Sequence, residues 1–152
     1  MKKLLLFVLV VILSLNFISC ASTMKPLESP PPQVKNIIDE ADKDSNFIKA
    51  NEWMVETFNN AESVIQFTDK EAGIVKGKYI MKTGVVSTSP YVASTSSMYA
   101  IITIRVKDNA SRIEIDPPTG MYTQMAMDVE YGFTPAMFEE KAKELISDFE
   151  AK

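Results

Sequence analysis

Residues 98–116 read Met98-Tyr99-Ala100-Ile101-Ile102-Thr103-Ile104-Arg105-Val106-Lys107-Asp108-Asn109-Ala110-Ser111-Arg112-Ile113-Glu114-Ile115-Asp116. Met98, Ala100, Ile102, Ile104 and Val106 take every second position, with Tyr99, Thr103, Arg105 and Lys107 between them. That is the period of a half-buried β-strand, and only Ile101 breaks the outward pattern. Asp108-Asn109 suits a two-residue hairpin turn, because both residues tolerate positive φ. About that turn Ile104 faces Ile113 and Ile102 faces Ile115, so both strands turn their apolar residues to one side. A one-residue slip would expose either set, which specifies the register. The same register sets Arg105 opposite Arg112.

Upstream, Thr83 to Ser97 holds 8 Ser/Thr in 15 residues together with Gly84 and Pro90, and is expected to be a long flexible loop. Before it, Val75, Gly77, Tyr79 and Met81 alternate with Lys76, Lys78 and Lys82, giving a strand over 74–82 with one apolar and one basic face. Ser63 to Thr68 is a further strand by its β-branched and aromatic content, joined to the next through the turn Asp69 to Gly73. Phe47, Ala50, Met54 and Phe58 recur at three- and four-residue spacing, with Trp53 and Thr57 beside them. This predicts a helix over 45–60, capped by Asp44 or Ser45. Val34 to Ile38 suggests a short first strand.

Downstream, Asp116 to Gly120 ends the pairing, and Met121 to Gly132 carries no decisive pattern. Thr134 is an N-cap, Pro135 takes the first helical position, and Phe133 is placed to staple onto Phe138. Phe138, Ala142, Leu145 and Phe149 then form a buried stripe, with Ile146 beside it. The expected class is α+β: an antiparallel sheet with two helices packed on one face, in the order β-α-β-β-β-β-α.

The first 33 residues belong to something other than this fold. Lys2 and Lys3 precede an apolar run from Leu4 to Leu13, which marks residues 1–19 as a secretion signal. The run is too short for a membrane span of roughly 20 residues. Phe17-Ile18-Ser19-Cys20 resembles the lipobox of bacterial lipoproteins, which implies that Cys20 is lipidated and becomes the new N-terminus. Residues 20–33 then read as a tether with four prolines, favouring extended polyproline II at about 3.1 Å per residue. Residues 34–152 form the single domain. The absence of Asp after Cys20 points to an outer-membrane lipoprotein facing the periplasm.

Composition removes several kinds of chemistry. The 152 residues include no His and one Cys, so there is no Ser-His-Asp triad, no histidine-ligated metal and no internal disulfide. The 16 basic and 20 acidic residues become 14 and 20 once residues 1–19 are removed, for a net charge of −6. Export and sign together argue against a nucleic-acid partner. The five glycines match neither a P-loop nor a dinucleotide fingerprint, and no G-x-S-x-G elbow occurs. Asp42-Lys43-Asp44-Ser45-Asn46 begins like a calcium loop, but Phe47 replaces the required Gly and Trp53 the bidentate Glu, so helix capping explains it better. Glu139-Glu140, and Asp128 with Glu130, read as solvated carboxylates. No cofactor, metal or catalytic residue is expected.

The block Asn51-Glu52-Trp53-Met54-Val55-Glu56-Thr57-Phe58, continued by Val64-Ile65-Gln66-Phe67-Thr68-Asp69-Lys70-Glu71-Ala72-Gly73-Ile74-Val75-Lys76-Gly77-Lys78, resembles a bacterial family of domains of unknown function with a TBP-like fold. The likeness spans roughly 34–115. It implies the same element order and occurrence mainly in exported proteins, and it implies no activity. The name describes a curved sheet backed by helices and is no argument for DNA binding.

The feature with most physical content is the outward sheet face. Arg105 opposite Arg112 costs some tenths of a kcal/mol. Lys76, Lys78, Lys82 and Lys107 are expected to share that face. The expected function is therefore a lipid-anchored binding or assembly module, held to the membrane through Cys20, whose Lys76, Lys78, Arg105, Lys107 and Arg112 meet an envelope protein or an anionic polymer. A plainer reading is a solvated face on which Glu114 relieves the repulsion. Met121, Met125 and Met127 with Tyr122 and Tyr131 are a second candidate surface, or core filler. A domain of this class could instead carry a small apolar ligand between helices and sheet, or act as a carboxylate-based enzyme.

Overall fold

The Met98–Asp116 segment forms the hairpin that its alternation demands. β7 (Met98–Lys107) and β8 (Ala110–Asp116) are antiparallel about Asp108-Asn109, with Ile104 opposite Ile113, Ile102 opposite Ile115 and Arg105 opposite Arg112. Asn109 supplies the positive φ of 60° that closes the turn. The computed structural model describes residues 25–58, 64–89, 92–95, 97–126 and 129–152; residues 1–19, expected as a signal segment, and Cys20 lie outside them.

Three further strands extend this pair into a five-stranded antiparallel sheet: β2 (Gln33–Ile38), β3 (Val64–Asp69) and β4 (Ile74–Lys82), in the order β2-β8-β7-β4-β3. α1 (Lys43–Thr57) and α2 (Pro135–Ala151) pack on its inward face. Ala50, Trp53 and Met54 from α1 and Phe138, Ala142, Leu145 and Phe149 from α2 are buried with Val75, Ile102, Ile104, Ile113 and Ile115 of the sheet. Each large apolar side chain so enclosed contributes roughly 1.5–3 kcal/mol relative to exposure. Trp53 joins the two helices: its ring meets Phe149 edge-on at 5.2 Å, and its indole N–H donates to Asp148 Oδ2 at 2.8 Å. The α+β class and the helix stripes hold. Thr134 caps α2 and Pro135 opens it.

The single sheet expected from the sequence is only part of the strand structure. β9 (Tyr122–Ala126) and β10 (Val129–Phe133) pair antiparallel and, with β1 (Lys25–Pro26), make a three-stranded sheet from the stretch that carried no decisive pattern. The backbone over 83–97 is not simply a loop, because β5 (Val85–Ser89) and β6 (Val92–Thr95) form a hairpin. Ser and Gly suggested a loop there, while Val and Thr, which favour pleated strands, decided the backbone. The Pro-rich segment expected as a tether over 20–33 is docked from Lys25 onward. Lys25 pairs with Thr123 and Pro26 with Tyr122, Leu27 N–H donates to Met121 O at 2.8 Å, and Ser29 Oγ donates to Pro118 O at 3.2 Å.

Local details explain how α1 reaches the sheet. Its cap is Asp42, not Asp44 or Ser45: the Asp42 carboxylate accepts the Ser45 N–H at 2.7 Å from an extended backbone. Asn46, fully buried, donates from Nδ2 to Ala41 O and Lys107 O, both at 3.2 Å, and so ties the helix start to β7. At the other end Phe58 lies on Gly77, where any Cβ would strike its ring. A Gly in the middle of β4 therefore makes room for an aromatic anchor.

Gly77→Ala should accordingly destabilise by about 1–3 kcal/mol through overpacking, and Phe58→Leu in the same chain should recover part of that loss; urea midpoints check both. Acid should act on the loop before α1. The Lys49 ammonium beside Asp39 holds its carboxyl below the ordinary value, and the Ser45 N–H does the same for Asp42. A depressed carboxylate pKa contributes stability above its unfolded value, and that contribution is lost as pH falls through the folded value. The melting temperature should therefore fall below about pH 4, and an Asp39→Ala/Asp42→Ala chain, less stable at pH 7, should show a shallower fall.

Candidate functional site

Strand register fixes which side chains share the outward face of the five-stranded sheet. One cross-strand row runs Asn36, Arg112, Arg105, Ile74, Asp69; the next runs Val34, Glu114, Thr103, Lys76, Phe67. A third brings together Asp116, Ile101 and Lys78. Lys107 stands beyond the first row, beside Ala110 and Ile38.

Five of the six expected basic residues lie on this face, and Lys82 does not. A register shift between Ile80 and Lys82 sets Lys82 opposite buried Met98, and the Lys82 ammonium donates to the Gly132 carbonyl. An extra residue in one strand reverses the alternation beyond it, so the sequence pattern misplaces whatever follows Met81. Asp69, Glu114 and Asp116 share the face, which makes it mixed with a basic excess. Arg112 pairs with Glu114 at 3.0 Å, the relief that a solvated face would need, and Lys78 Nζ lies 3.6 Å from the centroid of the Tyr99 ring. Lys76, Arg105 and Lys107 form no ion pair among the described residues.

The basic excess gathers near the hairpin turn. A shallow concavity of about 320 Å³ is lined there by Asn36, Arg105, Lys107, Ala110 and Arg112. Its rim is apolar on the β2 side: Ile38 is 92 % exposed and Val34 44 %. The sequence did not reveal these neighbours, because β2 alternates weakly and its pairing with β8 is known only from the fold.

A second concavity, of about 300 Å³, lies between the helices and is lined by Glu56, Tyr79, Lys141, Glu144 and Asp148. Its carboxylates are already engaged: Glu56 with Lys152 at 2.6 Å, Glu144 with Lys141 at 2.8 Å and Asp148 with the Trp53 indole. The bond from Glu144 holds the Lys141 ammonium above its ordinary pKa. The Glu56 and Asp148 contacts tie α2 to α1. Of the Met-rich stretch, Met121 is fully buried in the core and Tyr122 nearly so. Met127 and Asp128, and the side chains of Met125, Glu130 and Tyr131, lie outside the described residues.

Arg105 faces Arg112 across the β7–β8 pair, and replacing one of two opposed cations by an acid turns repulsion into attraction. Arg105→Glu should raise stability by roughly 0.5–1 kcal/mol, read as a higher urea midpoint at unchanged slope.

The family described as a domain of unknown function (DUF4468) with TBP-like fold matches residues 35–119, more than half of the chain. Among solved structures, the crystal structure of a DUF4468 family protein from Bacteroides ovatus ATCC 8483 at 1.49 Å is similar, with a TM-score of 0.52 and 15 % identity. The similarity covers 77 % of this chain and 82 % of that one, and at this identity it concerns the fold. No curated protein matches the chain. The hairpin, all of the sheet it centres but Gln33 and Val34, and α1 fall within the matched residues, and the chain belongs to the DUF4468 family, a domain of unknown function with TBP-like fold.

Proposed function

We propose that the protein is a non-enzymatic, lipid-anchored module of the cell envelope that binds or assembles through the outward face of its sheet. One observation carries the reading: Arg105 stands opposite Arg112, with no acid of its own among the described residues, in a concavity on an otherwise acidic chain. Opposed cations cost stability, and proteins retain destabilising groups where function uses them. The face is built for an anionic partner, an envelope protein or polymer.

The anchor is Cys20. The only Cys of the chain follows an apolar run and the residues Phe17-Ile18-Ser19, and acyl chains there hold a protein to a bilayer at about 0.8 kcal/mol per buried CH₂. The location is the outer membrane, facing the periplasm. A ligand carrier or an enzyme has less support, since the described space between helices and sheet is occupied by Trp53, Phe138, Phe149 and Met54, and the carboxylates near it are bound to other groups.

Full-length protein expressed in a bacterium fed an alkyne fatty acid should take up label, and Cys20→Ser should remain an unlabelled precursor. Equal labelling of the two, or release of an unlabelled processed chain from the wild type, overturns the anchor. Arg105→Glu/Arg112→Glu should lose most of its association with envelope fractions; retained, salt-insensitive association overturns the binding face.

A further inference from the structure

The outward sheet face has a counterpart on the opposite side of the molecule. Along α1, Ile48, Glu52 and Val55 recur at four- and three-residue spacing, so they form one stripe. Ile48 is 55 % exposed and Val55 64 %, and Glu52 between them is exposed and forms no ion pair among the described residues. On the sheet, Val34, Asn36 and Ile38 point outward along β2, and Asn36 sits in the row of Arg112 and Arg105. One surface is apolar, acidic, apolar; the other has Val34 and Ile38 as an apolar edge on either side of Asn36, with Arg112 and then Arg105 beside Asn36 on the next two strands and Glu114 opposite Val34.

The spacings agree. Seven helical residues from Ile48 to Val55 span about 10 Å at 1.5 Å each, and four strand residues from Val34 to Ile38 span about 13 Å at 3.3 Å each. A helix laid along β2 thus brings two apolar contacts into place with a carboxylate above Arg112 and Arg105 between them. The backbone N–H groups of β8, an interior strand, are shared between its two neighbours, β2 and β7, which leaves side chains as the donors at the floor. Arginine forks match carboxylates in plane, and Arg112 already holds that of Glu114.

We propose that the occupant of the sheet face is α1 of a second copy of this chain, with Glu52 set against Arg105 and Arg112 and with Ile48 and Val55 against the Ile38–Val34 side. The proposal rests on the reading of the outward face as the binding surface and names its partner. The two surfaces lie on opposite layers, helices behind and sheet in front, so the contact is head-to-tail. Such a contact does not close on itself at the dimer, and it propagates into a row unless a ring forms.

The test is sedimentation of the full-length protein in excess detergent, so that micelles carry single copies, across a range of protein and salt concentrations. Wild type should associate as concentration rises and dissociate as salt rises. Glu52→Lys and Arg105→Glu should each weaken association at least tenfold, and the chain carrying both, a charge swap at exposed positions, should regain most of it. Wild type that stays monomeric throughout, association indifferent to either variant, or a swap that restores nothing overturns the proposal. Should envelope association still depend on Arg105 and Arg112 while the protein stays monomeric, self-assembly fails and the binding face stands.

Discussion

Pairing Ile102 with Ile115 and Ile104 with Ile113 commits far more than one hairpin. Once β7 and β8 are in that register, their outer partners are set as well: Val75 comes opposite Ile104, Gly77 opposite Ile102 and Lys35 opposite Ile113. The turn itself then holds the start of α1. Asn109 exchanges backbone bonds with Asp39 and Ala41, Asp108 Oδ1 accepts the Lys43 N–H, and the Lys107 carbonyl receives Asn46. One two-residue connection therefore positions the sheet and also aims the helix across it.

The consequences of that register reach the surface as charge. Arg105 and Arg112 face one another because Ile104 and Ile113 do, one residue along on the buried side. The core has no tolerance for a slip that would separate the cations, since a one-residue shift exposes the isoleucines. The repulsion is fixed by packing beneath it, and Glu114 answers it from the same strand as Arg112. The core thus fixes where these two side chains stand and leaves their charge free to serve another end.

Elements with strong period were legible in the sequence and elements held by partners were not. β7, β8 and α2 carry their own alternation or stripe, cap and staple, and each forms where that pattern puts it. β1 has two residues and owes its strand geometry to Tyr122 and Thr123, nearly a hundred positions away. Lys82 has the spacing of an outward residue and is turned by a register shift, which no alternation records. Asn46 is polar and yet fully buried because the loop before its own helix and the end of β7 offer it carbonyls. The basic pair at the candidate site was readable because it sits in the well-specified register, while its apolar rim from β2 depended on a pairing that only the fold reveals.

The docking of Lys25 to Pro26 on β9 makes the start of the described chain part of the three-stranded sheet. That strand stands at the Lys82–Met98 end of the sheet, where Lys82 reaches Gly132 of the adjoining three-stranded sheet. The Asp108-Asn109 turn is a ten-residue strand away, about 33 Å. The chain thus enters the domain near one end of the five-stranded sheet, and the Arg105–Arg112 pair stands near the other.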